Sequence, residues 1–165
     1  MLLLIQYTLI FASVLILVAL GGCFSEHSGV INIGLEGIMV MGALGGALMM
    51  KYLPATMPIP LVILLVILGS VIIGMIFSLF LGVAAIHFNA DQTLVGTALN
   101  LLGPAAAVVI VRAINMSESI DNVSSTVAYK EAKRAFLVNI GKFEFSWFML
   151  FALLILVASY IILYK

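Results

Sequence analysis

Charge is what this sequence has least of. Only 8% of its 165 residues are charged, seven basic and seven acidic, so the formal net charge is zero. A soluble domain carries about 25% charged residues. No basic patch or acidic run stands out, so neither nucleic acid nor a charged soluble partner is expected. Cysteine is nearly absent as well. Cys23 stands alone, which excludes an internal disulfide. The stretch "LGGC" at 20–23 resembles a lipoprotein processing site. However, no basic residue precedes the apolar run there, and further apolar runs follow it. That pattern argues against both a lipoprotein and a cleaved signal peptide.

Catalytic patterns are missing too. No GxxxxGK[ST] phosphate loop occurs, and "NIGKF" at 139–143 lacks its first glycine and its hydroxyl. His27 and His87 lie far apart, without metal-ligand spacing around either. No nucleophile–base arrangement is apparent. Neither an enzyme, nor a metal, nor an organic cofactor is expected.

Hydrocarbon is what remains. The chain is 65% hydrophobic and its mean hydropathy is +1.34. A transmembrane helix needs about 20 apolar residues. The runs here are continuous rather than short and alternating, so the expected fold is all-α: a polytopic bundle of about five spans and not a barrel. The spans are placed near 2–22, 30–50, 59–86, 93–111 and 145–164. Three prolines within "KYLPATMPIP" mark a turn after the second span. In "HFNADQ", Asn89 or Asp91 can cap the fourth helix, and Asp91 is favoured. The long polar segment is 112–144. Its "NMSESIDNVSST" reads as loop and its "VAYKEAKRAF" as a short amphipathic surface helix. "NMS" and "NVS" match the glycosylation pattern only weakly.

Small residues recur every fourth position in the third span: Ser70, Gly74, Ser78 and Gly82. The second span repeats the device with Gly34, Gly42 and Gly46. Such faces let membrane helices approach closely, and packing within one bundle is preferred to a dimer interface. In the fourth span Gly96, Asn100 and Pro104 are also four apart. Pro104 frees the carbonyl of Asn100. A broken, polar helix of this kind suits the wall of a cavity, although an interhelical hydrogen bond explains Asn100 equally well.

The most polar stretch in the apolar regions is "GCFSEHSGVINIGLEG" at 22–37. "SEHSG" reads as a surface connection that solvates Glu26 and His27. Glu36 is expected deeper, about 9 Å along a helix counted from Val30, with Asn32 one turn earlier on nearly the same face. A carboxylate at that depth marks either a function or a tight pairing, with Arg112 as one candidate partner. Glycine-interrupted helices of this kind build transporter sites.

"FSEHSGVINIGLEGIMVMGA" and "IHFNADQTLVGTALNLLG" at 86–103 closely resemble permease subunits of bacterial ABC importers. The likeness is to the nucleoside and simple-sugar branch of the branched-chain amino acid and ribose permease superfamily. The final "FALLILVASYIILYK" resembles the helix that precedes the cytoplasmic coupling segment of that family. The resemblance covers the whole chain but only half the family's usual length. It implies a single transmembrane domain, 1–165, standing as the N-terminal half of a longer permease and ending before the ATPase-docking segment. It also implies a bacterial inner-membrane location. The expected partners are an ABC ATPase subunit, a second permease subunit, an extracellular substrate-binding lipoprotein and membrane lipid. Asn32, Glu36 and Asn100 become candidates for the solute pathway.

Two orientations compete. Lys51, Arg112, Lys130, Lys133, Arg134 and Lys142 all fall on one side of a five-span arrangement, with only Lys165 opposite. The positive-inside rule would place that side in the cytoplasm. The resemblance implies the reverse, with 112–144 outside, and that orientation is preferred. A different class of function also fits the length: a small accessory membrane subunit of a redox or energy-transducing complex. That reading leaves the two long motifs unexplained.

Overall fold

A computed structural model describes residues 2–54, 56–128, 137–140 and 143–164. Five α-helices appear among them: α1 (Leu2–His27), α2 (Leu35–Tyr52), α3 (Ile59–Gly82), α4 (Gln92–Glu118) and α5 (Trp147–Tyr164). The fold is all-α apart from a small antiparallel hairpin, β1 (Leu137–Ile140) and β2 (Phe143–Ser146). Three stretches are long and apolar enough to cross a membrane: Leu4–His27, Ile59–His87 and Gln92–Glu118. Phe148–Leu163 is a shorter apolar helix. This is a multi-pass membrane protein.

The chain divides into two compact units. One comprises residues 1–29 and 133–165. In it α1 and α5 pack through small side chains, with Ser13, Ala152 and Ser159 buried. The Ser13 hydroxyl donates to its own helix at the Ile10 carbonyl, 2.7 Å away, so burying it leaves no unpaired donor. The outward faces of α1 and α5 carry exposed Leu, Ile, Phe and Val, as lipid contact requires.

The other unit, residues 30–132, holds α2, α3 and α4. Its core is Phe77, Leu81 and Leu99, with Val30, Ile38, Met41 and Val95 against them. The α2–α3 seam is built on small residues. A Cβ on Gly45 would stand 2.6 Å from the Gly69 carbonyl, and one on Gly46 would strike the Ser70 hydroxyl. A Cβ on Gly42 would lie 3.3 Å from the Ser70 carbonyl, and one on Gly74 3.8 Å from the Gly42 Cα. The stripe stops there. Ser78 bonds back to Met75 in its own helix, and a Cβ on Gly82 would meet nothing within 4 Å.

Several helix ends differ from the sequence reading. α1 runs through His27 rather than stopping near residue 22. Polar side chains on its last turns cost little where they are exposed, and Gly29 at φ 85 makes the turn instead. Beyond Gly82, α3 continues as a π-helical turn, Val83–His87. The cap of α4 is Asp91, which accepts from Thr93 and Leu94 at 2.8 and 3.1 Å. α4 then continues to Glu118, so residues 112–118 are helix and not loop. The strands at 137–140 and 143–146 replace polar loop. Residues 129–136 of the expected amphipathic helix lie outside the described residues, as do Lys130, Lys133, Arg134, Lys142 and Lys165.

Candidate functional site

The largest departure lies in the stretch expected to begin the second span. Residues 30–34 are not helical, and α2 begins at Leu35. The cause is on α4. The Gln92 carboxamide oxygen accepts the Ile31 N–H at 2.7 Å. The Asn100 side chain donates to the Ile33 carbonyl and accepts from the Gly37 N–H, both at 2.8 Å. A helix start leaves its first N–H groups without partners. The N-cap here is Gly34, which has no side chain to supply one. Asn100 therefore caps α2 from the neighbouring helix, and the interhelical reading of this residue is the one observed.

That capping requires backbone contact. A Cβ on Gly37 would collide with the Leu99 carbonyl. One on Gly103 would lie 2.7 Å from Gly37, and one on Gly96 2.9 Å from the Gly34 nitrogen. These four glycines let α2 and α4 touch main chain to main chain, running parallel.

Glu36 consequently sits in the first turn of α2, not two turns deep, and it is exposed. A carboxylate there is favoured by the helix dipole. Among the described residues it has no hydrogen-bond or ion-pair partner. Arg112 is not available to it. Gly103 lies against Gly37, and Arg112 is nine residues farther along α4, about 13 Å towards the other end. Asn32 is half-buried on the non-helical segment, so it does not share a helix face with Glu36. Its Oδ1 is buried and accepts no hydrogen bond. Buried polar atoms are nearly always paired, and this one has no hydrogen-bond partner among the described residues. The site thus contains Asn100 bonded at both ends of its amide, Gln92 bonded through its Oε1, a buried Asn32 Oδ1 without a partner among the described residues, and the exposed Glu36 carboxylate.

Residues 4–165 match the family profile described as "Branched-chain amino acid transport system / permease component". The chain belongs to this permease family. It is 43% identical over 120 residues to the guanosine ABC transporter permease protein of Bacillus subtilis (strain 168), covering 70% of this chain and 36% of the relative. It is 36% identical over 121 residues to the nucleoside ABC transporter permease protein of Lactococcus lactis subsp. cremoris (strain MG1363), covering 73% and 38%. A putative glucose ABC transporter permease protein of Haloferax volcanii is 57% identical over 35 residues, covering 21% and 11%. The matched residues cover well under half the length of each of these three permeases. No solved structure matches it closely. Nothing in these matches supports an accessory subunit of a redox complex.

Within this permease chain, sequence reasoning missed Gln92, Gly37 and Gly103. Gln92 is the first residue of α4. Nothing local shows that it bonds a backbone amide 61 positions away.

Proposed function

We propose that this chain forms part of the solute pathway of an ABC importer for nucleosides. A separate ATPase subunit supplies the energy, so the chain itself catalyses no reaction. A second permease subunit completes the pore, and an external binding lipoprotein delivers the solute. The observation that carries the substrate class is the likeness to the guanosine and nucleoside permeases, which extends over more than two thirds of this chain. The glucose-permease likeness is stronger per residue but covers only 35 positions, so sugars are the second reading.

In this proposal Asn32 and Glu36 face the solute. Asn32 Oδ1, buried in this structure, accepts from an N–H or O–H of the passing molecule once the 30–34 segment opens. The exposed Glu36 carboxylate accepts from a second donor, such as a ribose hydroxyl. Asn100 and Gln92 are positioning residues, because their polar atoms hold the main chain that carries both. The test is uptake of radiolabelled guanosine, uridine and glucose by cells carrying or lacking the full-length gene. Loss of nucleoside uptake alone supports the proposal. Loss of glucose uptake with nucleoside uptake intact replaces it with the sugar reading.

A further inference from the structure

Gln92 is tied to the fold by only half of its side chain. Its Oε1 accepts the Ile31 N–H at 2.7 Å, which fastens α4 to the non-helical segment 30–34. The other half of the same carboxamide, Nε2, donates to nothing among the described residues. Nor is it enclosed: the buried side-chain atom left without a partner among the described residues is Asn32 Oδ1.

The Ile31 N–H also fixes which way this amide points. A carboxamide has an acceptor oxygen and a donor nitrogen. Turning it over would set its NH2 group against the Ile31 N–H, donor against donor. While 30–34 stays bound to α4, Gln92 therefore keeps its oxygen on the main chain and presents its hydrogens outward. Its neighbours offer the opposite chemistry. Asn32, next to Ile31, holds a buried acceptor that is out of reach until 30–34 opens. Glu36 holds an exposed carboxylate, which accepts only. In the closed arrangement Gln92 supplies a free donor and Glu36 a free acceptor.

A nucleoside suits such a pair. Its ribose hydroxyls donate to the carboxylate, and a carbonyl oxygen on the base accepts from the amide. Guanosine and inosine carry that oxygen on the purine ring. Adenosine carries an amino group in its place, which meets Nε2 donor against donor. We propose that Gln92 Nε2 is a specificity-determining donor that reads the ring oxygen of an oxopurine nucleoside and disfavours adenosine. The assignment rests on the nucleoside reading above and adds which edge of the base is read, and by which atom. One amide then has two roles: Oε1 positions the segment and Nε2 touches the solute.

Gln92→Glu separates the two. One carboxylate oxygen still accepts the Ile31 N–H, and a carboxylate in the first turn of α4 is favoured by the helix dipole. The other oxygen puts an acceptor where the donor was. Uptake of radiolabelled inosine and adenosine is measured in cells that differ only at residue 92, so a change in the inosine-to-adenosine ratio comes from that side chain. The ratio should fall by about tenfold or more, because the hydrogen-bond match is lost for one solute and gained for the other. The melting temperature of the solubilised protein should stay close to the parent's. If Gln92→Glu does not assemble, Gln92→Met removes the donor without adding an acceptor and should lower the ratio by a smaller factor. An unchanged ratio in an assembled variant overturns the assignment and leaves the nucleoside reading standing. No uptake of either nucleoside by the parent overturns both.

Discussion

Asn100 Oδ1 accepts the Gly37 amide hydrogen at 2.8 Å while its Nδ2 donates to the Ile33 carbonyl at the same distance. One carboxamide on α4 thus fixes both the last non-helical residues before α2 and the start of that helix. Replacing it with leucine leaves a partly buried donor and a carbonyl unpaired. Each such loss costs about 1–3 kcal/mol, so Asn100→Leu should lower the melting temperature of the solubilised protein clearly. Asn100→Asp keeps the acceptor for Gly37 and should fall between the two. Equal melting of Asn100→Leu and the parent would remove the cap from the account.

The glycines supply a paired prediction. Gly37→Ala drives a methyl into the Leu99 carbonyl, and overpacking of this kind costs about 1–3 kcal/mol. Gly82→Ala meets open space and gains helix propensity, worth about 0.5–1 kcal/mol. Thermal unfolding of the two variants should therefore shift in opposite directions. A shift of the same sign in both would mean that the α2–α4 contact is looser than described.

Glu36 is exposed and unpaired among the described residues, so its charge is not needed to hold helices together. Glu36→Gln should assemble and melt like the parent while guanosine uptake falls. Failed assembly with normal membrane insertion would instead make Glu36 a structural group.

Orientation is open to a direct check. The family resemblance implies that residues 112–144 lie outside, whereas the basic residues of the sequence favour the cytoplasm. A reporter inserted after Asn122 should give the external signal. A cytoplasmic signal would reverse the topology.

The first, third and fourth spans were legible in the sequence because hydrocarbon length is a local property, whereas α2 falls short of a spanning helix and the last span is shorter. Asp91 was legible as a cap for the same reason, since its acceptors and donors are two and three residues apart. The start of α2 was not. Val30–Gly34 carries nothing that forbids helix except Gly34, and its backbone is drawn out by Gln92 and Asn100, more than sixty positions away. Counting helical turns from Val30 therefore put Glu36 too deep and aligned it with Asn32. Lys51 was likewise read only as a charge near a turn. Its pairing with Glu118 follows from α2 and α4 running parallel, which no single segment discloses.

The central claim is that the unfilled Asn32 Oδ1 serves the passing solute and not the fold. Asn32→Leu removes a buried acceptor that has no partner among the described residues, so thermal stability should hold or rise. The account predicts that guanosine uptake by cells expressing this variant falls by about tenfold or more, as loss of one buried hydrogen bond to a ligand would produce. Parent-like uptake with parent-like stability would contradict it.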